Sequence, residues 1–241
     1  MSEGITIVPL AGIGEVTPGA DLARVVAGAL APAVRDGPDL RGGDVLVITQ
    51  KVVSKAEGRL VPIDPDDPAA KAALVERESV RIVRRRGDLI ISETRHGFIC
   101  ANAGVDLSNV ALGTAALLPD DADRSARRIR SGLRALLAVD VGVIISDTFG
   151  RTWRRGVTDV AIGCAGIAAV VDLRGTADAN GRELMATEVC VVDELASAAE
   201  LVMGKDRGIP AALVRGVPDG WLRRSSVRAE IVRPPEEDLF R

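Results

Sequence analysis

Acidic, hydroxyl and guanidinium side chains cluster in residues 146–151 (SDTFGR), directly after the apolar run 141–145. Asp147 and Thr148 offer hard oxygen atoms of the kind that Mg²⁺ and Mn²⁺ prefer. Arg151, with Arg154 and Arg155 behind it, offers guanidinium groups that bind carboxylate or phosphate through paired hydrogen bonds. The segment favours chemistry on anions, while a surface arginine cluster beside a turn aspartate is the alternative interpretation.

A second acid, Asp106, follows another apolar stretch, and Asn109 stands three residues further on. Proteins usually hold Mg²⁺ with one or two carboxylates, and substrate phosphates supply further ligands. Asp106 and Asp147 are therefore candidate ligands of a divalent ion. Each could instead be a turn or N-cap aspartate.

Two segments near the N-terminus could bind phosphate. Residues 9–15 (PLAGIGE) place glycines after the apolar run 5–8, so that backbone N–H groups could face a phosphate or simply form a turn. Residues 49–58 (TQKVVSKAEG) carry Lys51 and Lys55, whose ammonium groups could bind phosphate oxygens or remain solvated. The sequence contains neither G-x-x-x-x-G-K-[ST] nor G-x-G-x-x-G, so a nucleotide would be bound by another solution.

Strands and helices must position these residues, and the sequence shows both patterns. Helical spacing of apolar residues predicts helices at 22–30 and 122–137, and Asp193 is the predicted N-cap of a helix that ends at Gly204. Short β-branched runs predict strands at 45–49, 89–92, 141–145, 189–192 and 211–214. The irregular alternation of these strands with the helices predicts a single α+β domain, residues 1–241, with mixed sheets and flanking helices. Residues 233–241 form a tail that could link to a further domain.

Composition excludes several classes of protein. A formal charge of −3, a pI near 5.4 and only three Phe and two Trp argue against nucleic-acid binding. The longest apolar stretch, 160–171, falls well short of the roughly 20 residues that span a bilayer, and the acidic start lacks a basic signal region. Cys100, Cys164 and Cys190 form no C-x-x-C pair and are predicted to be buried thiols. We therefore expect a cytoplasmic protein with no membrane or nucleic-acid partner, in which the single histidine, His96, is structural.

The chain resembles the coenzyme F(420)-0:γ-glutamyl ligase family over nearly its whole length. That family includes stand-alone archaeal-type enzymes and the N-terminal half of two-domain actinobacterial enzymes. The motifs that carry the resemblance are residues 43–59 (GDVLVITQKVVSKAEGR), 103–110 (AGVDLSNV), 146–151 (SDTFGR) and 181–184 (GREL) with Thr187 and Glu188.

The resemblance implies GTP-dependent amide ligation in an intertwined homodimer. Phosphoryl transfer from GTP would activate the terminal carboxylate of the deazaflavin precursor F(420)-0, and the amino group of L-glutamate would attack the acyl phosphate, releasing GDP and phosphate. Asp106 and Asp147 would bind one Mg²⁺ or Mn²⁺ and Thr148 a second, with K⁺ as a further candidate cofactor. Arg151 joins the two acids as a candidate catalytic residue. Nucleotide contacts are implied for Ile13, Gly14, Glu15, Val16, Gln50, Lys55, Asn109 and Gly204.

The chain also departs from the family's pattern. Lys205 stands where some relatives have an acid, and Gln50 replaces a small hydroxyl residue seen in others. One alternative is therefore a non-catalytic nucleotide- and metal-binding module of a longer two-domain enzyme. Another is the same ligation on a different carboxylate acceptor.

Overall fold

The computed structural model describes residues 4–30 and 39–240. Within them the strands are β1 (Thr6–Pro9), β2 (Val45–Thr49), β3 (Leu60–Pro62), β4 (Ser79–Arg86), β5 (Leu89–Thr94), β6 (Ile99–Ala101), β7 (Thr114–Ala116), β8 (Gly142–Arg151), β9 (Arg154–Ala165), β10 (Val171–Asp172), β11 (Glu188–Val189) and β12 (Ala211–Arg215). The α-helices are α1 (Leu22–Ala29), α2 (Gln50–Ala56), α3 (Pro68–Glu78), α4 (Ala122–Leu137), α5 (Val191–Met203) and α6 (Val227–Glu230). Short 3₁₀ helices lie at Asn102–Gly104, Asp219–Trp221 and Pro235–Glu237.

A five-stranded mixed sheet forms the centre of the fold, in the order β1-β12-β2-β8-β9. Strands β2 and β8 are parallel, whereas the other neighbouring pairs are antiparallel. Thr49 at the end of β2 lies opposite Ser146 of β8, so the residues directly after these two positions share one edge of the sheet. The predicted α+β fold with mixed sheets is confirmed.

Helices cover both faces of this sheet. On β2, Leu46 and Ile48 pack with α1 and α4 in one core cluster, while Val45 and Val47 pack with α5 in another. Because side chains alternate between the two faces of a strand, one buried strand contributes to both cores. The helices predicted at 22–30 and 122–137 are confirmed as α1 and α4.

A smaller layer consists of the antiparallel sheet β4-β5-β6 and helix α3. The loop that follows β6 packs tightly against the core at Gly104. This glycine has a φ of +70°, and an added Cβ would lie 2.6 Å from the Leu118 side chain. The close approach holds the following residues, including Asp106, near the edge of the main sheet.

One buried acid connects three distant elements. Asp123, in the first turn of α4, accepts hydrogen bonds from the backbone N–H groups of Cys164 at 2.8 Å, Val227 at 2.9 Å and Arg228 at 3.1 Å. These bonds join α4 to the end of β9 and to the start of α6. The three backbone donors satisfy this buried carboxylate, which thereby holds the three elements together.

The strand predicted at 189–192 is wrong in its second half. Strand β11 contains only Glu188 and Val189, and α5 begins at Val191. Val191 and Val192 are both buried at the start of this helix, and Val192 packs in the core cluster that contains Val45 and Val47 of the main sheet. Burial of both valines therefore outweighs their intrinsic preference for strands.

The predicted N-cap of α5 is also wrong. Cys190 occupies the N-cap position, and Asp193 lies inside the first turn of the helix. The Asp193 carboxylate instead accepts a hydrogen bond from the backbone N–H of Ala161 at 2.8 Å, which joins α5 to β9. Gly204 ends the helix as predicted, with a φ of +65°.

The predicted buried thiols are confirmed for Cys100 and Cys164, and Cys190 is partly buried. Among the helices of the described part of the chain, none combines the length and apolar character that a bilayer crossing requires.

Candidate active site

A cavity of about 800 Å³ opens where β2 ends, beside Ser146 and Asp147 of β8. Its wall combines the loop after β1, the start of α2, the loop around Asp106, strands β8 and β9, and the end of α5. The predicted site residues that line it are Ile13, Gly14, Glu15, Val16, Gln50, Lys55, Asp106, Asn109, Asp147 and Gly204.

Asp106 is held rigidly on one wall. Its backbone pairs with Ala116 through two hydrogen bonds of 3.0 and 2.8 Å, and its carboxylate accepts the N–H of Ser108 at 2.7 Å. The other carboxylate oxygen lies 2.8 Å from the ammonium group of Lys51. Partial burial opposes ionisation of Asp106, but the hydrogen bonds and charge of Lys51 and the Ser108 hydrogen bonds outweigh it and hold its pKa below the ordinary value.

Asp147 does not follow a strand, as the sequence suggested, but lies inside β8, which continues to Arg151. The β8–β9 pairing shifts register between Ile145 and Ser146, and such an irregularity redirects the side chains beside it. The Asp147 carboxylate accepts the backbone N–H of Thr148 at 2.8 Å. Withdrawal from water, together with the nearby charges of Asp106 and Asp159, raises the pKa of Asp147 to about 7.

Asp159 is a site residue that the sequence analysis missed. It lies on β9 directly opposite Thr148, and only 2% of it is exposed. Its carboxylate accepts the hydroxyl groups of Ser146 at 3.2 Å and Thr148 at 2.7 Å. The only signal in the sequence was an isolated acid at the start of the apolar stretch of 160–171.

Lys205, just after α5, binds this buried acid. Its ammonium group lies 2.8 Å from Asp159 and 3.1 Å from Glu200, and it also donates to the hydroxyl of Thr148. Partial burial opposes the charge, yet the hydrogen bonds and charges of the two acids hold the pKa of Lys205 above its ordinary value. Glu200 was a second residue that the sequence analysis missed.

The segment 49–58, for which a solvated turn was the alternative, forms helix α2. Its first residue, Gln50, is buried: the side-chain oxygen accepts the Ser54 hydroxyl at 2.7 Å, while Nε2 has no partner. One turn later, the Lys55 ammonium lies 2.6 Å from the carboxylate of Glu15. Helix α2 therefore brings one unpaired donor, Gln50, and two cations, Lys51 and Lys55, to the cavity.

Asn109 and Gly204 line the cavity with backbone in the left-handed region. Asn109 has a φ of +54°, a conformation that Asn tolerates better than most residues. Unusual backbone at a cavity wall is typical of ligand-binding loops.

Arg151 does not line the cavity. It lies at the tip of the β8–β9 hairpin, where its guanidinium donates to the backbone oxygen of Arg155 at 2.8 Å. Thr148 also lies outside the lining but adjoins it through Asp159 and Lys205. The structure thus brings the two predicted acids together and leaves Arg151 apart from them.

The chemistry of Asp106 and Asp147 fits one divalent ion. Among the described residues, no Lys or Arg forms an ion pair with Asp147, and acids on both sides repel its charge. Within those residues no three His, Cys, Asp or Glu side chains form a complete metal cage. This set matches an ion that takes its remaining ligands from substrate phosphates and water.

Thiol chemistry is disfavoured in this site. Burial and the neighbouring charge of Asp147 raise the pKa of Cys100 to about 12, so its thiol stays protonated at neutral pH.

Taken together, an open cavity that combines unbalanced carboxylates with lysines beside the parallel strands β2 and β8 is the substrate cleft of an enzyme acting on charged ligands. The chain belongs to the F420-0:gamma-glutamyl ligase family, whose model matches residues 12–216. It is therefore a ligase, as the sequence motifs predicted.

Three relatives named coenzyme F420:L-glutamate ligase show the extent of the likeness. The chain is 43% identical to the protein of Methanothermobacter thermautotrophicus over 99% of each chain. It is 46% identical to that of Methanopyrus kandleri over 94% of each chain. For Methanocaldococcus jannaschii the identity is 41%, over 84% of this chain and 86% of the relative.

Proposed function

We propose that this protein is a GTP-dependent ligase that adds L-glutamate in γ-linkage to F420-0 through an acyl phosphate. The γ-phosphate of GTP would pass to a carboxylate oxygen of F420-0, and GDP would leave. The amino nitrogen of glutamate would then attack the acyl carbon, phosphate would leave, and the nitrogen would lose a proton as the amide forms. The names of the relatives and of the family support the substrate and the reaction.

The observation that carries the proposal is that side chains of both charges line one cavity. Asp106 and Asp147 line it together with Lys55 of α2. Transfer of a phosphoryl group between two anions needs cations to balance the developing charge. A polyphosphate bound in this cavity would contact both the lysine and an ion held by the two acids.

In this mechanism the chain's own groups bind and orient the anions. Lys55 would exchange its contact with Glu15 for a phosphate oxygen, and the unpaired Nε2 of Gln50 would donate to the nucleotide. Lys51, fixed by Asp106 and Ser108, would stabilise negative charge beside the acids. A Mg²⁺ or Mn²⁺ ion held by Asp106 and Asp147 would screen the phosphates as the bond forms.

We also propose that the protein acts as a cytoplasmic homodimer, with K⁺ as a further candidate cofactor. The free cysteines of the described residues suit a reducing compartment. On the β8–β9 hairpin, Trp153 is 82% exposed and Val157 is 63% exposed, an apolar surface that a second copy of the chain would cover.

The direct test is mass spectrometry of F420-0 after incubation with the protein, L-glutamate, GTP and Mn²⁺ or Mg²⁺, with parallel detection of free phosphate. We expect products heavier by whole glutamate units only when GTP is present. Phosphate release without such products would contradict F420-0 as the acceptor. Nucleotide binding with neither phosphate nor product, from folded protein, would instead indicate a non-catalytic binding module.

A further inference from the structure

The ammonium group of Lys205 is surrounded by oxygen atoms beside Thr148 of β8. It contacts carboxylate oxygens of Asp159 at 2.8 Å and Glu200 at 3.1 Å, and it donates to the hydroxyl oxygen of Thr148. These oxygens come from β8, from its hairpin partner β9 and from helix α5. The ammonium group of Lys205 is therefore held in a fixed position by three elements of the fold and is not freely solvated.

The same hydroxyl oxygen is the atom expected to bind a second divalent ion. The Thr148 hydroxyl donates its hydrogen to Asp159 at 2.7 Å and receives a hydrogen bond from Lys205. A metal ion at Thr148 would meet the positive charge of Lys205 at hydrogen-bond distance. At the first site Lys51 pairs with Asp106 only, and no Lys or Arg of the described residues forms an ion pair with Asp147. At Thr148, in contrast, Lys205 binds the hydroxyl and both neighbouring acids, Asp159 and Glu200, so these residues do not fit a second divalent ion while Lys205 remains in place.

Two further features favour a lysine at this position. Lys205 follows the C-terminal end of α5, where the carbonyl groups of a helix favour a cation. Asp159 is almost completely buried and needs a positive partner, which Lys205 supplies. The contact is thus part of the folded structure and does not depend on a bound ligand.

We propose that Lys205 takes the place of a second divalent ion in this enzyme, which consequently binds one Mg²⁺ or Mn²⁺ per active site, at Asp106 and Asp147. The inference rests on the proposed function for the identity of the site as a nucleotide and metal site. Of the two cations expected next to the phosphates, one would be the bound metal ion and the other the ammonium group of Lys205.

The test counts Mn²⁺ bound to the full chain at saturating GDP, by equilibrium dialysis with metal analysis and by electron paramagnetic resonance of the bound ion. We expect one Mn²⁺ per chain with the spectrum of an isolated ion. Lys205→Glu replaces the cation with a ligand and should bind two Mn²⁺ per chain with a spin-coupled spectrum. Lys205→Ala should also admit a second ion, more weakly, because it frees the oxygens of Asp159 and Glu200.

Lys71→Glu is the matched control, since it makes the same charge change on α3, outside the cavity. It should bind one Mn²⁺, like the unaltered chain. Two Mn²⁺ per chain in the unaltered protein would overturn the proposal without any variant. A folded Lys205→Glu protein that still binds one would equally overturn it.

Glutamate transfer to F420-0, measured on the same samples, separates this inference from the proposed function. Transfer accompanied by two bound ions would overturn the lysine assignment alone. One bound ion without transfer would overturn the ligase reaction and support the role of Lys205.

Discussion

The ammonium group of Lys55 and the carboxylate of Glu15 lie 2.6 Å apart and connect α2 to the loop after β1 across the mouth of the cavity. Lys55 is mostly buried, whereas Glu15 is largely exposed. The exposed carboxylate of Glu15 can therefore move into solvent when a phosphate arrives and takes its place beside Lys55.

We expect Glu15→Gln to tighten GDP and GTP binding by roughly two- to fivefold, because phosphate would no longer compete with a carboxylate for Lys55. Lys55→Gln should weaken binding by roughly tenfold or more. Isothermal titration calorimetry with GDP and Mn²⁺ measures both changes. Equal weakening by the two substitutions would show that the ion pair itself organises the nucleotide site.

Asp147→Asn should reduce glutamate transfer by roughly 100-fold or more, since it removes a charged ligand of the ion. The metal-free variant should be at least as stable as the unaltered chain, because the substitution removes repulsion from Asp106 and Asp159. Product formation and thermal unfolding without metal check the two parts. Asp66→Asn, the same change at an exposed position, is the control and should alter neither product formation nor thermal stability. A loss of stability in metal-free Asp147→Asn would contradict the repulsion between Asp147 and its neighbouring acids.

Metal binding should depend on pH through Asp147. The pKa of this acid is raised to about 7, so a proton competes with the ion below that pH. The apparent Mn²⁺ affinity should fall by up to roughly tenfold per pH unit below about 7 and level off above it. Titrations from pH 5.5 to 8.5 measure the slope, and Asp147→Asn should largely remove it.

The raised pKa of Asp147 also affects the stability of the metal-free protein, which changes with pH in the opposite direction to the Mn²⁺ affinity. Because the folded state holds this proton more tightly than the unfolded chain, the Asp147 contribution to stability falls as pH rises from the ordinary carboxyl range to about 7. Mn²⁺ should therefore raise the unfolding temperature more at pH 8 than at pH 6. An equal increase at both pH values would contradict the linkage.

Gly163→Ala should destabilise the fold by about 3 kcal/mol, because the added Cβ would lie within 2.6 Å of the carbonyl oxygen of Ala122 at the start of α4. Gly28→Ala is the matched control. Gly28 lies within α1, and nothing lies within 4 Å of an added Cβ there, so alanine should stabilise by about 0.5–1 kcal/mol. Chemical denaturation of both variants measures the difference in sign.

Trp153→Arg should shift the protein from dimer towards monomer if the exposed hairpin surface is covered by a second copy. Light scattering after gel filtration gives the mass of each species. Leu112→Arg is the control, because Leu112 is 93% exposed on the loop after Asp106, away from the hairpin. A dimer that persists in Trp153→Arg would place the contact elsewhere.

Much of the site could be predicted from the sequence because its parts come directly after short apolar runs. The strands at 45–49, 141–145 and 211–214 were recognisable, and parallel pairing of β2 with β8 brings their polar ends to one edge of the sheet. Asp159 could not be predicted, because its role depends on pairing with Thr148 across the hairpin rather than on its neighbours in the chain. The position of Arg151 apart from Asp106 and Asp147 was not expected from the sequence for a related reason. Strand β8 continues to Arg151 and carries it away from the cavity.

The hydrogen bonds of Asp123 bear on how the chain is made. During synthesis on the ribosome, helix α4 and strand β9 emerge well before residues 227 and 228, which supply two of the three backbone donors to this buried carboxylate. Until they emerge, the nascent chain carries a carboxylate whose burial lacks most of its compensation. Completion of the fold is thereby coupled to the synthesis of residues 227 and 228, and an mRNA truncated shortly before codon 227 would yield a product suited to removal by quality-control proteases.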